Sequence, residues 1–488
     1  MFEVKKDIFL QILERFSENN LLINEKRTWK FREFFEESFQ FSEYLDIKPN
    51  EIVVVPAFNP EIFLISFLAL WFKRAIAVPL NSSLPVYKRK ELLNKVGCKD
   101  SHIEEILGIF YKHFSENNSN NSYSIEEKKF LNLKINKKKL SINSRAWGTI
   151  IFTSGSSGFE KAVVHSVGNH FYSALGSNIF EPLNPGDRWL LSLPLYHVGG
   201  IAIFFRILIS GAAMVSSPEK DKMVEIIKNY KITHLSLVPT QLYRLLKTKN
   251  GRDSLRRLKL ILLGGGNIPM PLLKESAKLG LKLKVTYGST EMASQVATGS
   301  KDSYKILPYR EVRISKSSEI EVRGKTRFLG YYEKEKLIKP FNKNGWFKTG
   351  DLGSWSKKEK NIKNNNFYQK KFIKIFGRID GMFISGGENI FPEEIENVFY
   401  QSEMVHQAKV VSVRDVEFGK RPVVFVKYVE GCSEFKLRNF LEKHLLKYKI
   451  PDLFLPWEET FENVLKHSNV ELTKIAQDQF DFFLKKRT

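Results

Sequence analysis

Cysteine is scarce in this sequence of 488 residues, which holds only Cys98 and Cys432, far apart in the chain. That number excludes a disulfide framework and a zinc-binding Cys-x-x-Cys spacing. Long hydrophobic runs are missing too. The most apolar stretch, residues 62–72, is followed at once by Lys73 and Arg74 and is shorter than the ~20 residues of a membrane-spanning helix. We therefore predict a cytoplasmic protein with reduced thiols, no signal peptide and no membrane span.

Acidic residues are in the minority, since 54 Asp and Glu oppose 77 Lys and Arg and give a formal net charge of +23. Such a balance allows binding to nucleic acids or acidic membranes. The lysines are nevertheless scattered along the whole chain, which is typical of solvated surfaces, and no nucleic-acid-binding motif is present. We therefore predict no nucleic-acid partner, and we leave a homo-oligomer open.

Strand-like and helix-like segments alternate along a chain that is long enough for two or more domains. "EIVVVPA" (51–57) predicts a buried strand, residues 60–75 predict the helix after it, and "IAVPL" (76–80) predicts the next strand. This order is typical of an α/β protein with parallel strands. Residues 115–140 and 356–371, rich in Asn, Ser and Lys, are interpreted as surface insertions without chemistry.

The segment "IIFTSGSSGFEKAVVHS" (150–166) places small hydroxyl residues and glycines between an apolar run and a lysine. Glycine lets a backbone approach a ligand closely, and hydroxyl and N–H groups suit phosphate oxygens. The spacing is not that of the common P-loop, because two residues rather than four separate the glycines. A phosphate cradle is favoured over an ordinary turn, which needs no such run of small residues. Its candidate residues are Thr153, Ser154, Gly155, Ser156, Ser157, Gly158 and Lys161.

Two further predicted strands, in residues 258–269 and 281–292, also run into small polar loops. Ligands of open α/β sheets bind beyond the carboxyl ends of the strands. In the second loop, "YGSTEM", the aromatic ring suits a base, the hydroxyls suit a phosphate, and Glu291 suits Mg²⁺. A helix start capped by a hydroxyl is an equally good interpretation of that loop. The candidate nucleotide-binding residues of both loops are Gly264, Gly265, Gly266, Tyr287, Gly288, Ser289 and Thr290.

Two more motifs lie towards the C-terminus. In "GWFKTGDLG" (345–353), Asp351 is placed to accept both hydroxyls of a ribose, although an Asp in a β-turn is the alternative. In "GRIDG" (377–381), Arg378 offers a planar fork of donors to an oxygen-rich ligand, and Asp380 is placed as a hinge between domains. A surface turn with an ion pair is the alternative there.

In this order and spacing, the four motifs resemble those of the adenylate-forming superfamily of acyl- and aryl-CoA synthetases, luciferases and peptide-synthetase adenylation domains. The resemblance covers roughly residues 25–480. It implies an α/β fold, with a large N-terminal domain of layered α/β subdomains (1–377) that binds nucleotide and acid, and a small mobile α+β C-terminal lid (378–488). It also implies two half-reactions: a carboxylate attacks the α-phosphate of Mg-ATP to give acyl-AMP and pyrophosphate, and coenzyme A then takes the acyl group.

Within that superfamily, "SLPLYHVGGIAIFFRILISGA" and "HLSLVPTQLYRLL" resemble the o-succinylbenzoate–CoA ligases of menaquinone synthesis. The resemblance implies that His197 lies beside the aromatic acid and the adenylate. It also implies that Arg206 pairs with the second carboxylate of the substrate and that Ser236 lines the same pocket. A loop histidine and an arginine at a helix C-terminus remain the alternatives for His197 and Arg206. Another aryl or fatty acid also remains open as the substrate.

The C-terminal segment departs from the superfamily, whose last motif carries a lysine that reaches the α-phosphate and the attacking carboxylate. Aligning Leu465 and Lys466 with that run puts Glu471, which would repel both anions, at the catalytic position. A shift of three residues puts Lys474 there. We predict that Lys474 is the catalytic lysine, with Lys466 as the alternative and an impaired adenylation step as the remaining possibility.

Overall fold

The computed structural model describes residues 4–98, 108, 140–153, 160–218, 222–265, 268–300, 303–356, 372–379, 381–385, 388–458 and 469–485. Most of both predicted insertions lies outside the described residues. The helices in these ranges are α1 (Ile8–Phe16), α2 (Phe31–Tyr44), α3 (Pro60–Phe72), α4 (Val86–Lys95), α5 (Val167–Phe180), α6 (Val198–Ser210), α7 (Met223–Asn229), α8 (Pro239–Leu246), α9 (Lys249–Arg256), α10 (Met270–Lys278), α11 (Pro392–Gln401), α12 (Glu434–His444) and α13 (Asn469–Lys485).

The strands largely alternate with these helices up to the tenth helix, α10. After α10, most strands follow one another without a helix between them. They are β1 (Asn20–Ile23), β2 (Thr28–Lys30), β3 (Ile52–Pro56), β4 (Ile76–Leu80), β5 (Trp147–Thr153), β6 (Lys161–Ser166), β7 (Arg188–Leu190), β8 (Ala213–Val215), β9 (His234–Leu237), β10 (Leu260–Leu263), β11 (Leu283–Ser289), β12 (Ser294–Ser300), β13 (Ser303–Ile306), β14 (Arg310–Ile314), β15 (Glu319–Gly324), β16 (Gly330–Glu333), β17 (Lys336–Ile338), β18 (Phe347–Trp355), β19 (Phe372–Arg378), β20 (Phe383–Ser385), β21 (Glu388–Ile390), β22 (Val405–Asp415), β23 (Gly419–Tyr428) and β24 (Leu453–Pro456).

The larger sheet has the order β14-β15-β18-β19-β13-β12-β11-β10-β9-β7-β8-β1-β2. Its strands from β11 through β10, β9, β7 and β8 to β1 run parallel, as the alternation of strands and helices predicts. On the other side of β11, all neighbouring strands in the order β11-β12-β13-β19-β18-β15-β14 are antiparallel. The carboxyl ends of β9, β10 and β11 therefore meet at one edge, next to the antiparallel half of the sheet.

The second sheet has the order β17-β16-β6-β5-β4-β3, with β3, β4 and β5 parallel. Helix α3 connects β3 to β4 and is apolar on all sides, which is typical of a helix with no solvated face. The side chain of Asn59 caps it by accepting from the backbone N–H groups of Glu61 and Ile62. At its other end, the indole of Trp71 donates to the carbonyl oxygen of Gly148 across 2.9 Å. This apolar stretch is thus the buried helix that the sequence predicts.

The small C-terminal domain has its own hydrophobic cores, on the two faces of a sheet with the order β22-β23-β24. Strands β22 and β23 form a hairpin, and helix α11 begins at Pro392. Helices α11 and α12 share one core, and α13 packs with the other. Among the helices that the structure describes, none has the length and hydropathy needed to cross a bilayer.

Candidate functional site

The glycines after β10 lie where parallel strands deliver their loops. A Cβ atom on Gly264 would lie 2.3 Å from Oγ1 of Thr286 on the neighbouring strand β11, so only glycine fits without a shift. Gly265 has a φ of +86°, in the region that favours glycine. Gly266 lies outside the described residues. Chain packing therefore explains Gly264, and backbone conformation explains Gly265. The two glycines leave a surface without side chains at the end of β10.

The predicted phosphate cradle is the connection of a hairpin. Strand β5 ends at Thr153, β6 begins at Lys161, and the register places these two residues opposite each other. Ser154, Gly155, Ser156, Ser157 and Gly158 lie outside the described residues. The connection therefore returns to an antiparallel neighbour instead of leading into a helix, which separates it structurally from the strand–loop–helix P-loop.

Lys161 and Glu291 lie on either side of Tyr331, a residue that the sequence did not single out. The Lys161 ammonium lies 5.0 Å from the centroid of the Tyr331 ring, and the Tyr331 hydroxyl donates to Oε1 of Glu291 across 2.9 Å. Burial and the Glu291 carboxylate raise the pKa of Tyr331, so this hydroxyl stays protonated and keeps donating. One predicted phosphate ligand and the predicted metal ligand are thus brought together.

The residues around Glu291 fit a magnesium ion carried by a nucleotide. Across the described ranges, no group of three or more His, Cys, Asp and Glu could hold a metal ion by itself. Mg²⁺ commonly takes one or two protein carboxylates and completes its shell with phosphate oxygens and water. Glu291 can supply one such oxygen, and this donor set fits Mg-ATP rather than a metal caged by protein alone.

The "YGSTEM" loop is a tight return between antiparallel strands. Ser289 precedes a single 3-10 turn, Thr290–Met292, and its side chain does not cap that turn. The Ser289 hydroxyl is buried without a hydrogen-bond partner. A Cβ on Gly288 would lie 2.0 Å from the carbonyl oxygen of Ser294 on β12, which requires glycine. The structure therefore contradicts the alternative of a capped helix start.

His165 ties this loop to the hairpin and was not foreseen from the sequence. Its Nε2 lies 2.8 Å from the carbonyl oxygen of Thr290. Because a carbonyl only accepts, Nε2 carries the proton and donates. Burial lowers the pKa of His165 to about 4, so the ring is neutral at physiological pH. The two sheets are joined here, directly behind Glu291.

Asp351 and Arg378, on strands β18 and β19 of the antiparallel half, meet Tyr287 on β11, the last of the parallel strands. The Tyr287 hydroxyl donates to Oδ2 of Asp351 across 2.6 Å, and Nη1 of Arg378 lies 3.3 Å from Oδ1. Nη1 also donates to the carbonyl oxygen of Thr349 across 2.9 Å. Asp351 lies within strand β18, so the β-turn alternative is wrong. Asp380 lies outside the described residues.

Arg206 is buried within α6, away from the helix C-terminus, where Gly211 forms the cap. Its Nη2 donates to Oε1 of Gln295 across 2.7 Å, and its guanidinium carbon lies 5.2 Å from the centroid of the Trp189 ring. Its Nε is buried without an acceptor, and burial lowers the pKa of the side chain to about 10. The alternative of a helix-capping arginine is therefore wrong.

His197 and Ser236 belong to different elements of the large domain. His197 is the exposed residue preceding α6, with its ring 4.5 Å from that of Tyr196. Arg206 follows it nine positions later in the chain, or about 13.5 Å along the axis. Ser236 is buried in β9, and its carbonyl oxygen accepts from the hydroxyl of Ser192. An exposed imidazole therefore precedes α6, and a buried guanidinium lies within it.

Residues 9–332, about two thirds of the chain, match the family described as AMP-binding enzyme. The chain belongs to the AMP-binding enzymes.

This AMP-binding enzyme is similar to proteins named 2-succinylbenzoate–CoA ligase. It is 38% identical over 336 residues to that of Salmonella typhimurium, an alignment that covers 68% of each chain. It is 32% identical over 435 residues to that of Bacillus cytotoxicus, covering 84% of this chain and 85% of the relative. Both alignments agree with the predicted resemblance.

Solved structures agree with the fold of this AMP-binding enzyme over nearly its whole length. The o-succinylbenzoate CoA synthetase of Bacillus subtilis in complex with ATP and magnesium ion is 27% identical, with a TM-score of 0.74 and coverage of 92% and 95% of the two chains. The same synthetase in complex with the acyl-adenylate intermediate OSB-AMP is also 27% identical, with a TM-score of 0.74 and coverage of 93% and 94%. The predicted large N-terminal and small C-terminal domains are confirmed.

Lys474 of this AMP-binding enzyme lies on α13, in the small domain. It is exposed at a surface pocket of about 430 Å³. The residues lining that pocket all belong to the small domain: Ser412, Arg414, Lys420, Thr473, Lys474, Gln477 and Asp478. Glu471 is exposed in the first turn of the same helix, and Lys466 lies outside the described residues. The structure thus places Lys474 among cations of the small domain and not among the nucleotide motifs.

Proposed function

We propose that this AMP-binding enzyme is an ATP-dependent acid–CoA ligase acting on o-succinylbenzoate. The observation that carries the choice of acid is Arg206, a buried guanidinium whose Nε has no acceptor among the described residues. An acid with two carboxylates can present one for activation and the other to this cation. The names of the relatives and the ligands of the neighbouring structures support the same substrate.

The nucleotide motifs then have separate roles. Asp351 accepts from the ribose hydroxyls, while the hairpin connection and Lys161 hold the phosphates. Glu291 binds the magnesium ion that accompanies ATP, and the Tyr331 hydroxyl orients the carboxylate of Glu291. The glycines and hydroxyls of the other two loops line the nucleotide: Gly264, Gly265, Gly266, Tyr287, Gly288, Ser289 and Thr290. Fixed donors and positive charge around the α-phosphate stabilise the charge that develops during phosphoryl-type transfer.

Two half-reactions follow. An oxygen of the substrate carboxylate attacks the α-phosphorus of ATP, the bond to the β-phosphate oxygen breaks, and pyrophosphate leaves with the electron pair. The sulfur of coenzyme A then attacks the acyl carbon, AMP leaves, and the thiol proton is released. His197 and Ser236 lie beside the acid, and Arg206 holds its second carboxylate.

The small domain supplies the remaining cation. We propose that residues 378–488 form a mobile lid hinged at Asp380 and that its rotation brings Lys474, with Lys466 as the alternative, to the α-phosphate. The position of Lys474 beside Arg414 and Lys420 supports this role, because neighbouring cations suit an anionic ligand. Arg378, at the end of the last strand of the large sheet, joins the lid to the nucleotide site.

Pyrophosphate release with a panel of acids and coenzyme A tests the proposal. We expect release with o-succinylbenzoate and little with benzoate or fatty acids. Arg206→Leu should lose activity on the diacid alone. The matched control is Arg313→Leu, which removes an arginine that already pairs with Glu321 on the neighbouring strand. Equal release with fatty acids by the wild type would assign another acid to the site.

A second candidate function is an adenylate-binding protein with impaired adenylation. The observation that favours it is Glu471, which occupies the position of the catalytic lysine in the simplest alignment. Such a protein would transfer a presented acyl-AMP to coenzyme A but would release no pyrophosphate from ATP with any acid. The same assay therefore separates the two candidates.

A further inference from the structure

Two buried arginines share one glutamine. Nη2 of Arg206 donates to Oε1 of Gln295 across 2.7 Å, and Nε of Arg310 donates to the backbone oxygen of Gln295 across 2.8 Å. Each arginine is only 5% exposed. Within the described part of the chain, neither guanidinium has a carboxylate among the groups that act on it. Two positive charges are therefore buried together, and no described residue serves as their counterion.

This arrangement is electrostatically unfavourable in the free protein. Burial, together with the charge of Arg206, lowers the pKa of Arg310 to about 9. Uncompensated charges in a protein interior are costly unless an opposite charge joins them. An anion that reaches this pair would relieve the repulsion as well as form hydrogen bonds.

Arg310 cannot itself reach a ligand, because protein acceptors hold its fork. Nη1 donates to the carbonyl oxygen of Pro308 across 2.8 Å, and Nη2 donates to the carbonyl oxygen and the hydroxyl of Ser173 across 3.1 and 3.0 Å. Helix α5 makes room for it, since a Cβ on Gly176 would lie 2.1 Å from Nη1. Arg310 therefore acts through its charge and through its hold on Gln295.

Gln295 is oriented by two donors. Arg206 and the hydroxyl of Ser177, at 2.8 Å, both donate to Oε1, so the amide nitrogen occupies the other position. That nitrogen, Nε2, is buried, as is Nε of Arg206, and neither has an acceptor in the part of the chain that the structure describes. These two donors without acceptors belong to side chains that are hydrogen-bonded to each other, and such a pair suits the two oxygens of one carboxylate.

We propose that Gln295 and Arg310 determine the acid specificity of this enzyme. Gln295 is the neutral residue that leaves both guanidiniums without a counterion, and the second anionic group of the acid completes the cluster. This inference rests on the proposed function, because it requires that the enzyme activates an acid. It goes further, because it assigns the selection of the acid substrate to an uncompensated pair of cations and not to Arg206 alone.

Gln295→Glu is the decisive variant, since it places a carboxylate of the same size against Arg206, within the buried pair of cations. The assay compares kcat/KM for o-succinylbenzoate with kcat/KM for two monoacids, each lacking one of its carboxylates. We expect the diacid-to-monoacid ratio to fall about tenfold or more, because the variant supplies the counterion internally. We also expect o-succinylbenzoate to raise the melting temperature of the wild type but not of the variant.

Gln295→Met is the matched control, with similar volume and no charge. It should weaken diacid binding while keeping a preference for the diacid, because both cations stay uncompensated. Arg310→Gln should lower the diacid-to-monoacid ratio. That ratio does not depend on the fraction of folded enzyme, so partial unfolding of this variant does not obscure the result.

An unchanged ratio in Gln295→Glu would overturn the inference, as would an equal loss in Gln295→Met. Failure of the proposed function looks different. In that case the wild type itself would ignore o-succinylbenzoate, and the same ratio would be measured with whichever anionic acid it accepts.

Discussion

Arg378 and Asp351 face each other across the neighbouring strands β18 and β19, and Nη1 of Arg378 lies 3.3 Å from Oδ1 of Asp351. Asp351 is the candidate ribose ligand, and Arg378 is both the last residue of β19 and the first residue of the predicted small domain. One ion pair therefore connects the nucleotide site to the junction of the two domains. A ribose that competes for the Asp351 oxygens would also act on this junction.

Asp351→Asn should weaken nucleotide binding. The variant keeps an oxygen that can accept from Tyr287 but removes the charge that pairs with Arg378. We expect the dissociation constant of AMP, measured by calorimetry, to rise about tenfold or more, the usual loss for hydrogen bonds to a charged group. Asp253→Asn is the control, because Asp253 pairs with exposed Arg256 one helical turn away. Equal AMP affinities in wild type and Asp351→Asn would remove Asp351 from the site.

Tyr331→Phe should raise the magnesium requirement. Without its hydroxyl, the Glu291 carboxylate loses the donor that orients it. We expect the Mg²⁺ concentration for half-maximal pyrophosphate release to rise about tenfold, as for other residues that orient a metal ligand. Mg²⁺-dependent ATP binding, followed by calorimetry, should shift in parallel. Tyr332→Phe is the control, since the neighbouring Tyr332 packs against Trp147 instead. The same shift in both variants would contradict the role of Tyr331.

Lys474→Ala should slow adenylate formation by about 100-fold or more, the usual loss of a group that stabilises transition-state charge. Transfer from presented acyl-AMP to coenzyme A should continue, because that step does not need this lysine. Lys420→Ala removes a second cation from the same surface pocket and serves as the control. If Lys466→Ala loses adenylation and Lys474→Ala does not, the alternative lysine takes the role.

Acid should destabilise the fold through its buried histidines. Burial lowers the pKa values of His165 and His234 to about 4, below the value of ~6.5 in an unfolded chain. Between pH 6.5 and 4 the unfolded state therefore binds more protons, and the free energy of unfolding decreases as pH falls. Each histidine should contribute about 1.4 kcal/mol per pH unit in that window.

Urea unfolding at several pH values measures this slope. His165→Gln should flatten it by the share of one histidine, since glutamine can still donate to Thr290 but does not titrate. His444→Gln, at an exposed position on α12, should leave the slope unchanged. A slope that is the same in wild type and His165→Gln would show that His165 is accessible to protons in the folded state.

Local patterns in the sequence predicted the parts of this fold that depend on neighbouring residues. The apolar runs of β3, β4 and α3 are continuous, so their type and order follow from their lengths and from the residues that bound them. The motif residues Asp351 and Arg378 were likewise visible, because an acid and an arginine among glycines stand out from an apolar background.

The missed residues gave no such local signal. Tyr331 and Gln295 lie in ordinary strand sequences, and each matters because of a partner 40 or 89 residues away. Arg310 lies among other charged residues in the sequence, and only packing shows that it is buried. A hydrogen bond between distant segments leaves no periodic trace, so side-chain type alone cannot reveal it.

The sequence by itself thus determined the elements, their order and the residue types capable of binding a nucleotide and an acid. Only the tertiary structure decided which of them meet: Asp351 with Tyr287 and Arg378, and Arg206 with Gln295. The physical reason is that propensity and polarity act over a few residues, whereas burial and pairing depend on how the two sheets pack. Charges such as that of Arg206 acquire their chemistry only once packing removes them from water.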